Sequence, residues 1–326
     1  VFKLSEHKTT VKTEVMAGIT TFMTMAYILA VNPSVLGSTG MDTTAVLLAT
    51  ALASCLGTLC MAFMANLPFA LSAGMGLNAF MAYTVVAGYG YSWQVALLAV
   101  FIEGLIFIVL SLTNIREAIF NAIPLTLKKG VSVGIGLFIA FIGLQNSGLC
   151  VDSATLVGII SFPENFHTAG ICALLTLIGL FFTAVFYTRK MKGAILYGIL
   201  LTWILGMLCQ VTGLYVPTPD AGFYSLFPSW GMTDFSRLGL TFGQCFNVDF
   251  SAVGIVNFIV VIFSFLFVDI FDTLGTLIGV ATKAKMLDKD GKLPGIKPAL
   301  MADSIATSAG AILGTSTTTT FVESAS

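Results

Sequence analysis

Two acids, Asp269 and Asp272, stand in the otherwise apolar or small stretch VIFSFLFVDIFDTLGTLIGV, residues 261–280. Three positions apart on a helix, they project onto neighbouring faces about one turn from each other. A carboxyl group in a membrane helix is expensive, so such groups face a bundle interior or a wet cavity and mark a substrate or proton path. The structural alternative is a helix cap or a pair with a basic residue. No Lys or Arg lies between Arg237 and Lys283, so that partner has to come from another element. A third acid, Glu103, sits within VFIEGLIFIVL, where a hydrogen-bonded structural acid and a proton relay both remain open. Asn78 follows Gly74 and Gly76 in FALSAGMGLNAF, residues 69–80. A glycine-rich entry of this kind favours an extended segment followed by a half-helix whose free N–H groups face a polar ligand. Close helix packing through small residues explains the glycines as well, though not Asn78. The last stretch, GTSTTTTFVESAS, carries a hydroxyl run through Thr320 and then Glu323.

The elements that hold these residues are membrane spans. Of the 326 residues 57% are hydrophobic and 10% charged, with mean hydropathy +0.96, against about 25% charged in soluble domains. The chain reads as an all-α polytopic membrane protein. A net charge of −1 carries no signal for nucleic acid. The six cysteines are scattered singly and the two histidines lie in polar segments, so neither a zinc site nor a disulfide framework is expected. Apolar runs of spanning length fall at about 15–35, 43–65, 69–87, 93–112, 130–149, 168–188, 193–214, 252–280 and 299–313, with a partial tenth from 315.

Loop charge orients them. Lys3, Lys8 and Lys12, then Arg116, Lys128 and Lys129, then Arg189, Lys190 and Lys192, then Lys283, Lys285, Lys289, Lys292 and Lys297 all fall on one side, fourteen of the 15 basic residues. By the positive-inside rule that side, with the N-terminus, is cytoplasmic. Residues 114–129 suit a short interfacial helix, Asn32-Pro33 marks a helix end or kink, and Asp290-Gly291 a turn. Because the chain stops within the tenth element, it is expected to be a fragment lacking its C-terminal part.

LSAGMGLNA and TTTTFVESA align weakly, setting Asn78 against Glu323. Spans three and ten would be equivalents in two seven-span repeats of opposite orientation, and interrupted helices at such positions point to a transporter's midplane site. The stretches TEVMAGITTFMTMAYILAVNP, SAGMGLNAF, FVDIFDTLGTLIGV and TSTTTTFVESAS, in that order, resemble the AzgA-type purine permeases of the nucleobase–cation symporter (xanthine/uracil permease) family. The resemblance covers essentially the whole chain. It implies a seven-plus-seven inverted-repeat fold with broken helices at spans three and ten, truncated here within span ten. It divides the chain into core-domain spans at 15–112, gate-domain spans at 130–214, an extracellular segment at 215–250, and core-domain spans again at 252–326. Carried over by motif, Asn78, Asp269 and Glu323, with Gly76 and Thr320, would form the purine site. Asp269, Asp272 and Glu103 are the candidates for proton coupling. No cofactor is implied. The implied function is import of adenine, guanine or hypoxanthine across the cell membrane by proton symport, with an elevator-like motion and a possible homodimer.

An intramembrane aspartyl protease also needs two membrane acids, but they must share a proton at close range, and these two lie on one helix without a GxGD-like motif. A channel lacks the expected ring of repeated polar residues.

Overall fold

The computed structural model describes residues 9–325, apart from 155, 192, 229, 230, 232, 251, 252 and 289–292. The turn expected at Asp290-Gly291 and the basic residues Lys3, Lys8, Lys192, Lys289 and Lys292 lie outside the described residues.

In chain order the helices and strands are α1 (Val11–Met25), α2 (Ile28–Gly37), α3 (Thr43–Cys60), β1 (Leu71–Ala73), α4 (Met75–Ala79), α5 (Trp93–Leu112), α6 (Ile115–Ala122), α7 (Leu125–Asn146), β2 (Val151–Ser153), β3 (Leu156–Gly158), α8 (Phe162–Asn165), α9 (Ile171–Thr188), α10 (Ala194–Val211), α11 (Ile255–Lys283), α12 (Ile296–Leu313) and β4 (Thr318–Thr320). Wider π-type turns extend α3 to Ala65, continue α4 from Phe80 to Gly88 and lead into α9. Among the described residues, seven segments are long and apolar enough to cross a membrane: 11–37, 43–65, 93–112, 126–146, 162–188, 194–211 and 255–283. The protein is a polytopic membrane protein. The expected spans at 69–87 and 299–313 are not among the seven. The first contains the strand β1 and the short apolar helix at 75–88. The second is the 18-residue α12, whose hydropathy is lowered by Lys297, Asp303 and a hydroxyl-rich face.

The helix break in the first span is not at Pro33. Pro33 lies inside α2, and the regular ladder lapses at Ala26–Tyr27. The carbonyl that Pro33 leaves without a backbone donor and crowds is that of Leu29, inside α2, so the lapse at Ala26–Tyr27 is a separate irregularity.

The chain divides into two compact units, Val1–Ile135 with Thr233–Ala325, and Gly136–Met232. In the first, α12 packs on α5 and α3, and α11 packs on α5. One buried cluster includes Leu77, Met81, Val100, Phe107 and Phe265, and another includes Leu71, Leu274, Leu277 and Leu300. Phe263 and Phe267 on α11 are exposed, as a lipid-facing side would be, while Phe265, Asp269 and Thr273 turn inward. In the second unit α9 packs on α10, β2 and β3 form an antiparallel hairpin, and Tyr215 closes a small core with Ile171 and Leu175.

Candidate functional site

The site is organised by a two-stranded ribbon inside the first unit. β1 and β4 pair antiparallel, Leu71 opposite Thr320, Ser72 opposite Thr319 and Ala73 opposite Thr318. All six residues are buried. Two strands leave outer edges whose polar groups need partners away from water, and side chains of the flanking helices supply them. Thr58 of α3 accepts from the Leu71 N–H at 3.1 Å, and Thr307 of α12 donates to the Thr318 carbonyl at 2.9 Å. Ser72 and Ser54 share a hydroxyl bond of 2.6 Å. The threonine run therefore reads as extended backbone whose β-branched side chains lock it against two helices.

At the end of β1, Gly74 is the N-cap of α4 and its amide donates to the Thr317 carbonyl at 3.0 Å. A methyl group on Gly74 would lie 2.9 Å from the Thr319 methyl and 3.3 Å from Asp272 Oδ2. The glycine is needed for this close approach, not for an unusual backbone angle. Gly76 is half-buried in the first turn of α4. Asn78, two residues on, is buried; its Oδ1 accepts from Ser316, and its Nδ2 has no partner. Thr320 is also buried with an unpartnered hydroxyl. Glu323 lies in a 3-10 turn, Val322–Ala325, and accepts a 2.6 Å hydrogen bond from the Tyr27 hydroxyl. Tyr27 sits at the break between α1 and α2, so that irregularity delivers a side chain to Glu323. Glu103, fully buried on α5, accepts from Thr317 at 3.0 Å, and its second oxygen is unpartnered. Thr20 and Thr24 of α1 hydrogen-bond carbonyls of their own helix, back-bonding of the kind long membrane helices use.

The two acids of α11 part company. Asp272 is half-buried and turns towards Gly74. Asp269 is fully buried and looks the other way. Its Oδ2 lies 3.4 Å from Arg116 Nη2, and its Oδ1 accepts from Thr273 at 3.1 Å. Arg116 was counted above among the basic residues of a surface loop, and that placement is corrected here. It is 3% exposed. The helix bearing it is α6 alone, because Pro124 separates Ile115–Ala122 from α7. From the first turn of α6 the guanidinium reaches Asp303 Oδ2 at 2.8 Å, Ser304 Oγ at 2.7 Å and the Leu300 carbonyl at 2.9 Å. It also lies 3.9 Å from the centre of the Phe107 ring, a cation–π contact. Lys128, counted in the same way, is 5% exposed.

Asp303 and Arg116 are the residues that inspection of the sequence passed over. Asp303 sits in MADSIATSAG among small and hydroxyl residues, in a span rich enough in polar groups to look unremarkable. The available signal was that an intramembrane acid needs a cation, and Arg116 is the basic residue nearest an apolar span that also carries an acid. Thr273 links the pair to the ribbon, donating to Asp303 Oδ2 at 3.3 Å and lying 3.3 Å from the Thr319 hydroxyl. A small crevice beside this cluster, with room for about one water molecule, is lined by Arg116, Ile119, Ile270, Thr273 and Leu300.

Acids, an amide and a hydroxyl ladder are thus buried around a short ribbon inside a bundle of apolar helices. The chain belongs to the Permease family, whose model matches residues 12–326. It is 43% identical to the guanine/hypoxanthine permease PbuO of Bacillus subtilis, over 99% of this chain and 71% of that one. It is 45% identical to the guanine/hypoxanthine permease PbuG of the same organism, over 100% and 71%, and 40% identical to the adenine permease AdeP of Escherichia coli, over 100% and 68%. The family and these relatives are transporters, not enzymes, and the protease alternative has no support.

Proposed function

We infer that this protein imports purine nucleobases by proton symport. The observation that carries the reading is the corner where β1, β4 and α11 meet. There an unspent Asn78 amide donor, the Thr320 hydroxyl, the Asp272 carboxylate and the Glu323 carboxylate stand on adjoining elements. A purine edge presents adjacent N–H donors and ring-nitrogen acceptors, which an amide and carboxylates can read in a bidentate way. The named purine substrates of PbuO, PbuG and AdeP support the same class here. Asn78, Gly76, Thr320, Glu323 and Asp272 are put at the base. Asp269, whose oxygens are engaged by Arg116 and Thr273, is put at proton coupling with Glu103 rather than at the purine itself.

In this reading the first unit carries the core-domain spans of a seven-plus-seven inverted repeat, with spans three and ten interrupted at β1 and β4. The second unit begins the gate domain, the core moves against the gate in an elevator-like cycle, and two copies pair. The membrane is the cell membrane and the N-terminus is cytoplasmic.

Uptake of radiolabelled adenine, guanine and hypoxanthine into proteoliposomes, with an imposed pH gradient and then with a protonophore, tests the function. Uptake that ignores the gradient rejects the symport, and absence of purine uptake rejects the substrate class. For orientation, a single cysteine at position 160, on a background with the native cysteines replaced, should react with an impermeant maleimide outside intact cells, and one at 287 should not. The reverse pattern inverts the topology.

A further inference from the structure

The second half of the segment at 215–250 is built into the first unit. Its two 3-10 turns, Phe235–Leu240 and Gln244–Phe246, pack on α3 and α5. Arg237 in the first turn pairs with Asp42, the N-cap of α3, and Leu238 packs against the buried cluster that contains Leu313 of α12. In the second turn Cys245 is fully buried in the cluster of Leu77, Val100 and Phe265. Between the two turns lie Thr241 and Gly243, and both reach the end of α12.

The last carbonyls of a helix have no donor within it. At the end of α12 the Ile312 carbonyl accepts from the Gly243 N–H at 2.7 Å, and the Leu313 carbonyl accepts from the Thr241 hydroxyl at 3.0 Å. Thr241 is 1% exposed. Gly314 follows in the left-handed region, φ +102°, and any side chain there would overlap that of Thr241. From the opposite side Asn32 of α2, itself fully buried, donates from Nδ2 to the Thr315 hydroxyl at 2.9 Å and to Thr50 of α3 at 2.7 Å. The turn Leu313–Thr315 is therefore gripped from two sides.

That turn is where the hydroxyl run departs. Ser316 donates to Asn78 of α4, Thr317 to Glu103 of α5, and Thr319 lies 3.3 Å from Thr273 of α11. Thr320 ends the run with its hydroxyl unspent. The run holds no glycine, and β-branched threonines are stiff, so a displacement at Thr315 is passed along it to Asn78 and Thr320.

We propose that Thr241, with Asn32 opposite it, is a positioning residue of the purine site. Residues 235–246 are a clasp, fixed to α3, α5 and α12 and moving with them, that holds the turn from which the substrate-reading run departs. The segment is not a gate that opens over the site. The proposal rests on the purine-transport reading, because its effect is read as purine affinity.

The test uses the full chain and equilibrium binding of labelled purine, which reports on folded protein alone. Thr241→Val keeps the shape and removes the hydroxyl, and the Kd should rise roughly two- to twelve-fold, while Thr241→Ser should bind as the wild type does. In an Asn78→Ala background the same Thr241→Val change should cost less than it does alone, since both act on the base through one connected run. An unmoved Kd in Thr241→Val, an equal loss in Thr241→Ser, or effects that simply multiply in the double variant would each overturn the proposal. A second measurement stands even where Thr241→Val fails to fold. Asp42→Cys with Arg237→Cys, on a background with the native cysteines replaced, is cross-linked by a short bismaleimide that ties the clasp to α3. Purine uptake should be the same before and after cross-linking, and loss of uptake on cross-linking would show that the segment moves against α3. Failure of the wild type to bind any purine strikes the transport reading; wild-type binding with an unmoved Thr241→Val strikes the clasp alone.

Discussion

Arg116 and Asp303 lie 187 residues apart in sequence and meet at 2.8 Å in the interior of the first unit. The contact fastens the first turn of α6 to the middle of α12, and Asp269 joins it from the middle of α11. Three helices that are distant in sequence are tied at one charged point, with Phe107 of a fourth beneath the guanidinium.

Removing one partner from such a group leaves the others buried and unpaired, on the order of 3–5 kcal/mol. Arg116→Ala should therefore lower the melting temperature of the purified protein sharply. Arg116→Met combined with Asp303→Leu removes a guanidinium and a carboxylate together and should recover part of the loss. A double variant no more stable than Arg116→Ala would show that the ion pair is not what holds α6 to α12.

Asn78 is expected to act on affinity. Its Nδ2 is unspent in the fold, so Asn78→Ala removes a neutral hydrogen bond to the base, about 0.5–1.5 kcal/mol or roughly two- to twelve-fold in Kd. Equilibrium binding of labelled purine measures it. Ser316, which donates to the Asn78 carbonyl oxygen, is the positioning partner, and Ser316→Ala should weaken binding less than Asn78→Ala.

Gly74→Ala would place a methyl 2.9 Å from the Thr319 methyl and 3.3 Å from Asp272 Oδ2. Gly74 has ordinary extended backbone angles, φ −69° and ψ 123°, so the substitution acts through contact and not through backbone strain. Overpacking of this kind costs about 1–3 kcal/mol and falls on the site. Purine uptake should drop by a larger factor than the amount of folded protein in the membrane, and equal losses of the two would remove Gly74 from the site.

At the membrane boundary Asp42 caps α3, accepting from the Ala45 N–H at 2.8 Å, and pairs with Arg237 at 2.6 Å. The backbone bond, and after it Arg237, hold the Asp42 carboxyl below the usual aspartate range. A lowered folded-state value contributes stability above the unfolded pKa, about 3.9, and that contribution is lost as pH falls through the folded value. Asp42→Asn keeps a capping oxygen but has no proton to gain. Its melting temperature should lose part of the acid-side slope below about pH 4, and an unchanged slope would show that Asp42 contributes nothing to it.

Tyr27 donates to Glu323 across 2.6 Å. Tyr27→Phe removes a hydrogen bond to an acid, about 1.5–3 kcal/mol for a charged partner. If Glu323 is placed by Tyr27, the variant should change the relative uptake of adenine and guanine and not merely the rate. An unaltered preference would make Tyr27 structural.

Hydropathy, the acids within it and the order of four short motifs are properties of the chain that need no partner. They were enough for a polytopic permease and for singling out Asn78, Glu103, Asp269, Asp272, Thr320 and Glu323 as candidates. What they could not decide is which way each acid turns. Asp269 and Asp272 are one turn apart on the same apolar helix, and nothing local distinguishes them. α6 and α12 bring Arg116 and Asp303 to one face of α11, while β1 brings Gly74 to the next. Arg116 looked like a loop charge because the positive-inside pattern counts position along the chain, whereas burial depends on what packs over it. A buried ion pair is a long-range pairing, and its energy exists only once distant helices have excluded water from between them. That part of this protein belongs to the tertiary structure.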